Sequence, residues 1–200
     1  RQYRAQAEGP DMPVALDEWN YWYGPHVFGE LGTRYFLKDG LGVAAALNEF
    51  VRQSDIYVMA NYAQTVNVIG AIKTTTTDAA METTGLALQL YRQRMGSLPV
   101  AVEVGESPLD VAAAWNADRS ALTIAVVNAS EEAQVLDLRI EGARVSGRGR
   151  AWVIAGDDPM LYNDPGQPPR VAIEERAVER AHRGLTLDPI SVSIFELPVR

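Results

Sequence analysis

The densest concentration of reactive side chains is Leu16-Asp17-Glu18-Trp19-Asn20-Tyr21-Trp22-Tyr23. Two adjacent carboxylates and an amide precede three consecutive aromatic rings. An ionised carboxylate can attack or stabilise an oxocarbenium-like carbon, and flat aromatic faces pack on the C–H surfaces of a sugar ring. The types therefore suit cleavage of a glycosidic bond. They leave other readings open, because acidic residues at strand ends also cap helices and aromatic residues also fill cores. Side chains alternate along a strand, so Asp17 and Glu18 are expected to point to opposite sides, with one of them facing a site.

The elements that must carry these residues change character near Gly96. Val14-Ala15-Leu16 is an unalternating apolar run, the pattern of a strand covered on both faces. Leu41, Ala44, Ala45, Leu47 and Val51 have helical spacing, Ile56 to Met59 reads as the next strand, and Ala80 to Met95 as a second helix with Gly96 at its C-cap. Residues 1–96 thus hold two consecutive βα units. Two such units cannot close a core, since a parallel sheet needs helices on both faces or closure into a barrel. A (β/α)8 TIM barrel takes about 250 residues, so these would be its last quarter.

After Gly96 the period becomes two. Val100/Val102/Val104, Leu122/Ile124/Val126, Leu136/Leu138/Ile140, Leu185/Leu187 and Val192/Ile194 alternate with polar neighbours. Residues 97–200 are expected to form an antiparallel β-sandwich of jelly-roll-like kind. Asp157-Asp158-Pro159, Asn163-Asp164-Pro165-Gly166 and Pro168-Pro169 mark a long surface connection, and a helical turn within 174–183 is left open. The fold class is α/β followed by all-β.

Composition narrows the partners. With 26 acidic against 18 basic residues the formal charge is −8, which repels nucleic acid and anionic lipid. No apolar run approaches the ~18 residues of a membrane helix. The chain has no cysteine, so thiolate metal sites and cysteine nucleophiles are excluded. That absence favours the cytoplasm over secretion without fixing the compartment. The polar start Arg1-Gln2-Tyr3-Arg4 carries no initiating methionine, and the chain is expected to begin inside a larger fold.

Asp17-Glu18-Trp19-Asn20-x-Trp22-Tyr23 resembles the nucleophile motif of the glycoside hydrolase family 51 α-L-arabinofuranosidases. Met59-Ala60-Asn61-Tyr62-Ala63-Gln64-Thr65-Val66-Asn67-Val68-Ile69-Gly70-Ala71-Ile72 resembles the same family's penultimate motif, followed by a Thr-rich loop and Glu82-Thr83-Thr84-Gly85 opening a helix. The resemblance implies barrel strands 7 and 8 followed by a β-sandwich. It implies that Glu18 is the nucleophile of a retaining, exo-acting enzyme, and that Trp22 packs on the bound sugar. Gln64 would hydrogen-bond the substrate, Asn20 would order its loop, and Asp17 would be a buried, hydrogen-bonded supporting carboxylate. The substrate class that the resemblance implies is arabinose-containing oligo- or polysaccharide from hemicellulose or pectin.

The family's acid/base glutamate belongs to the fourth strand, which this chain does not contain. Retaining cleavage needs two carboxyl groups about 5–5.5 Å apart; Asp55, Asp78, Glu82 and Glu103 match no catalytic position. The 200 residues alone are expected not to turn over substrate. A preceding part or a second chain would complete the barrel, and the family resemblance implies a homo-oligomer. Related furanosidase or endo-glucanase activity is the alternative within enzymes, and a non-catalytic carbohydrate-binding sandwich the alternative outside them.

His26, in the Gly24–Gly40 loop, is a candidate substrate contact or a solvated loop residue. His182 reads as solvent-exposed, and the two histidines make no metal motif. Asp157-Asp158 reads as turn chemistry rather than a Ca²⁺ site. Gly40-Leu41-Gly42 lacks the spacing of a phosphate cradle, and Trp115 and Trp152 read as core. No cofactor is expected.

Overall fold

The computed structural model describes residues 12–22 and 32–200. Strand β1 (Val14–Trp19) is followed in the chain by helix α1 (Leu37–Arg52) and strand β2 (Tyr57–Tyr62). A hairpin, β3 (Ile72–Thr74) and β4 (Ala79–Met81), precedes helix α2 (Thr83–Arg94). Then come β5 (Leu98–Val100), β6 (Asp110–Trp115), β7 (Ala121–Asn128), β8 (Gln134–Leu136), β9 (Arg148–Ala155), β10 (Glu174–Glu179), β11 (Leu185–Leu187) and β12 (Ser191–Pro198). β1 and β2 pair in parallel. Six strands form an antiparallel sheet in the order β10-β9-β12-β7-β6-β5, and β11 pairs with β8.

Two cores lie on opposite faces of the large sheet. On one face, Leu41, Ala44, Leu90 and Tyr91 of the helices pack against Val127, Trp152, Ile154 and Ile194. On the other, Ile124, Val153, Phe195 and Leu197 meet Leu185 and Leu187 of the small sheet. This double coverage explains the differences from the expected strand pattern. All eight residues of β7 are buried, so its alternation does not separate a wet face from a dry one. β6, with Val111-Ala112-Ala113-Ala114, and β9, with Ala151-Trp152-Val153-Ile154, carry unbroken buried runs that a period-two reading passes over.

Helix α1 starts a turn earlier than its apolar spacing indicates. Phe36 offers no side-chain acceptor, and the first amides are capped from elsewhere: Leu37 N–H donates to Leu161 O (2.7 Å) and Lys38 N–H to Pro159 O (3.0 Å). Asp39 accepts from Phe36 N–H (2.7 Å). The 156–170 connection therefore does more than cross the surface, and its Leu161 and Asn163 are buried. Gly96 is not a left-handed cap. Met95 ends the helix in extended conformation, and a Cβ on Gly96 would meet Trp115 O at 2.4 Å, so close approach to β6 is what requires glycine. The segment left open at 174–183 is strand β10 followed by a 3-10 turn at Ala181–Arg183. No helix among the described residues is long and apolar enough to cross a membrane.

Asn48 ties the helices to the sheet. It is fully buried, accepts from Tyr91 Oη (2.6 Å) and donates to Asp110 Oδ1 (2.6 Å), which also receives Arg52 Nη1 (3.0 Å).

Candidate active site

Parallel pairing sets the C-terminal ends of β1 and β2 side by side, with Trp19 opposite Tyr62. The register is uneven. Leu16 pairs with Ala60 and Trp19 with Tyr62, so β1 has one residue more than β2 over this interval. That irregularity, of the bulge kind, contains Asp17 and Glu18. Bulges bend a strand and re-aim its side chains, and strict alternation across residues 17 and 18 does not hold here. Both residues are exposed. Asp17, expected to be buried and hydrogen-bonded, is exposed, and β2 is the only strand paired with β1 among the described residues.

Trp19 anchors the strand end. Its ring meets Phe50 edge-to-face at 5.1 Å and Tyr62 at 5.4 Å, fixing β1 to α1 and β2. Beyond it the chain is tied to the loop after β2. Ala63 N–H donates to Trp19 O (3.0 Å). Asn20 Nδ2 donates to Ala63 O (2.7 Å) and Ile69 O (2.9 Å) and lies 3.0 Å from Tyr35 Oη. Tyr35 Oη in turn donates to Tyr21 O (2.9 Å). Asn20 thus joins the segment after Glu18 to both ends of the loop carrying Gln64. Gln64 and Trp22 are exposed, Trp22 to 64%. The Ala63–Gln64 peptide is cis. His26 lies outside the described residues.

Behind the loop is a buried ionisable pair, Lys73 and Glu82, both with no exposed surface. Glu82 accepts from Tyr35 N–H (3.1 Å), and Lys73 Nζ donates to Val68 O (3.1 Å). Burial pushes the Glu82 carboxyl up to about 8, with the Lys73 charge acting against the rise. Burial lowers Lys73, and Glu82 opposes that. Tyr35 and Tyr62 are raised, chiefly by burial. Sequence reasoning treated Glu82 only as a non-catalytic helix-opening residue and passed over Lys73. The available signal was the β-branched run Ile72-Lys73-Thr74-Thr75-Thr76-Thr77, which reads as a hairpin once its turn is recognised.

Elsewhere, Trp152 is core, donates Nε1–H to Glu175 Oε2 (3.0 Å) and carries Arg94 over its ring at 4.1 Å. Trp115 packs against the second core. His182 is exposed. Asp158 Oδ1 accepts Met160 N–H (2.8 Å), as in a turn. No cluster of three or more potential metal ligands occurs among the described residues. Clefts of about 410 and about 700 Å³ lie beside Asn163 and beside Arg176; neither is lined by Glu18, Trp22 or Gln64.

The sequence profile of the alpha-L-arabinofuranosidase C-terminal domain matches residues 17–191. The chain belongs to this family. Its relatives include probable alpha-L-arabinofuranosidase C of Aspergillus flavus, 33% identical over 181 residues, covering 80% of this chain and 35% of that protein. Among solved structures, the alpha-L-arabinofuranosidase of Thermotoga maritima in its arabinose complex superposes with a TM-score of 0.82 at 28% identity, covering 93% of this chain and 43% of that one. The family 51 enzyme of Thermotoga petrophila gives 0.78 at 28% identity, covering 92% and 43%. The chain corresponds to the C-terminal portion of family 51 arabinofuranosidases and spans about a third of the length of the curated relatives it matches.

Proposed function

We propose that this chain is part of a retaining, exo-acting α-L-arabinofuranosidase that removes terminal arabinofuranosyl residues from hemicellulose, pectin or their oligosaccharides. Glu18 is the nucleophile. Ionised, it attacks the anomeric carbon and forms a covalent arabinosyl–enzyme ester as the leaving oxygen is protonated; water then releases arabinose with retained configuration. Trp22 packs on the sugar, Gln64 hydrogen-bonds it, and the carboxyl group that protonates the leaving group comes from outside these residues. The observation that carries the reading is the placement of Glu18, exposed at a register irregularity on the C-terminal end of a parallel strand, beside the loop bearing Gln64. In βα barrels that end of the strands builds the active site.

In the same proposal, residues 1–96 supply barrel strands 7 and 8 with their helices, and residues 97–200 the sandwich. Parallel sheets are normally covered on both faces, yet Val58 is 66% and Met59 44% exposed on β2. The remaining barrel strands would cover them.

The direct test is Glu18→Gln in the full-length protein, assayed with an aryl α-L-arabinofuranoside. Turnover is expected to fall by roughly a thousandfold or more, with substrate binding retained. Near-normal turnover would remove Glu18 from the nucleophile role.

A further inference from the structure

The loop carrying Gln64 is held in an unfavourable backbone shape. Asn67 and Val68 have left-handed φ values of 54° and 47°. A β-branched residue rarely adopts that region, and it persists where surrounding contacts over-determine it. The contacts converge on one atom. Val68 O accepts from Thr33 N–H (2.7 Å) and from Lys73 Nζ (3.1 Å). The strap at residues 32–35 crosses so closely that a Cβ on Gly32 would lie 2.1 Å from Val68 O. Asn67 is fixed as well, its Oδ1 accepting Thr74 N–H (2.9 Å) from β3.

Lys73 is the unexpected member of this set. A fully buried ammonium loses its hydration, and a methionine would fill the volume of its stem without that penalty. Packing therefore does not account for the residue type. The hydrogen bond that Lys73 donates to Val68 O does. Glu82 also receives Tyr35 N–H from the strap, so the pair grips both segments.

We propose that Lys73 is a positioning residue for the candidate site: through the Val68 carbonyl it fixes the loop 63–72 against the strap and so sets the place of Gln64. The proposal rests on the reading of Gln64 as a substrate-binding amide.

The test is Lys73→Met in the full-length protein, read in two ways. Hydrogen exchange is expected to quicken about tenfold or more in peptides covering 63–72 and 32–36, with β7 unchanged. With an aryl α-L-arabinofuranoside, kcat/KM is expected to fall about fivefold, mostly through KM, the scale of one hydrogen bond. In a Gln64→Ala background the same substitution should change kcat/KM less than twofold, because the loop no longer presents the amide. Unchanged exchange, or an equal loss in both backgrounds, would overturn the proposal. If Lys73→Met does not fold, Lys73→Met/Glu82→Gln removes both buried ionisable groups, and the same readings apply. If the unsubstituted full-length protein does not hydrolyse arabinofuranosides, the glycosidase reading fails, and hydrogen exchange alone decides whether Lys73 anchors the loop.

Discussion

Glu82 shows how a single side chain couples the stability of the fold to pH. Its carboxyl is enclosed behind the candidate site and stands at about 8 in the folded protein against an ordinary value of 4.5. A group raised on folding binds its proton more tightly in the native state. Its stabilising contribution is full below about pH 4.5 and is lost as the pH rises towards 8. Glutamine keeps an acceptor for Tyr35 N–H and carries no titrating proton. Glu82→Gln is therefore expected to gain stability relative to the parent protein between pH 5 and pH 9, measured as melting temperature against pH. Parallel curves would show that Glu82 does not titrate in this window. At the same scale the family was legible in the motifs around Glu18 and Gln64. The exposure of Asp17 was not legible, since it depends on an extra residue in β1 relative to β2 and on which strands flank β1.

At the level of elements, the helices and the large sheet share one core, and a small polar junction fastens them. Asn48 is fully buried between Tyr91 and Asp110, and Asp110 also holds Arg52. Removing the Asp110 carboxylate leaves Asn48 Nδ2 with only the longer bond to Asp110 O (3.2 Å). Asp110→Ala is expected to lower the unfolding free energy by about 1–2 kcal/mol, read by chemical unfolding. No change would mean that the junction is relaid by other acceptors. The existence of α1 and α2 was readable from their apolar spacing, but the start of α1 was not. Its cap comes from Pro159 and Leu161, more than a hundred residues later, and no local signal encodes that. Strands β6 and β9 escaped the period-two reading for a related reason: helices on one face and the small sheet on the other remove the alternation.

At the level of the whole molecule, a sandwich is joined to a pair of parallel strands, β1 and β2, that carry the candidate site. The sandwich is not a passive appendage, because its 156–170 connection caps the helix that follows the strap, and the strap itself bears on the loop of Gln64. Val58 and Met59 of β2 are exposed, and in the proposed function further strands beside β1 and β2 would cover them. The central claim is that, in the full-length protein, this chain supplies the atom that attacks the sugar. An arabinofuranose-configured epoxide, which alkylates a carboxylate nucleophile, tests it most directly when followed by peptide mapping. One label per active site, on Glu18, is the expected result; a label on another carboxylate, with Glu18 unmodified, would contradict the account.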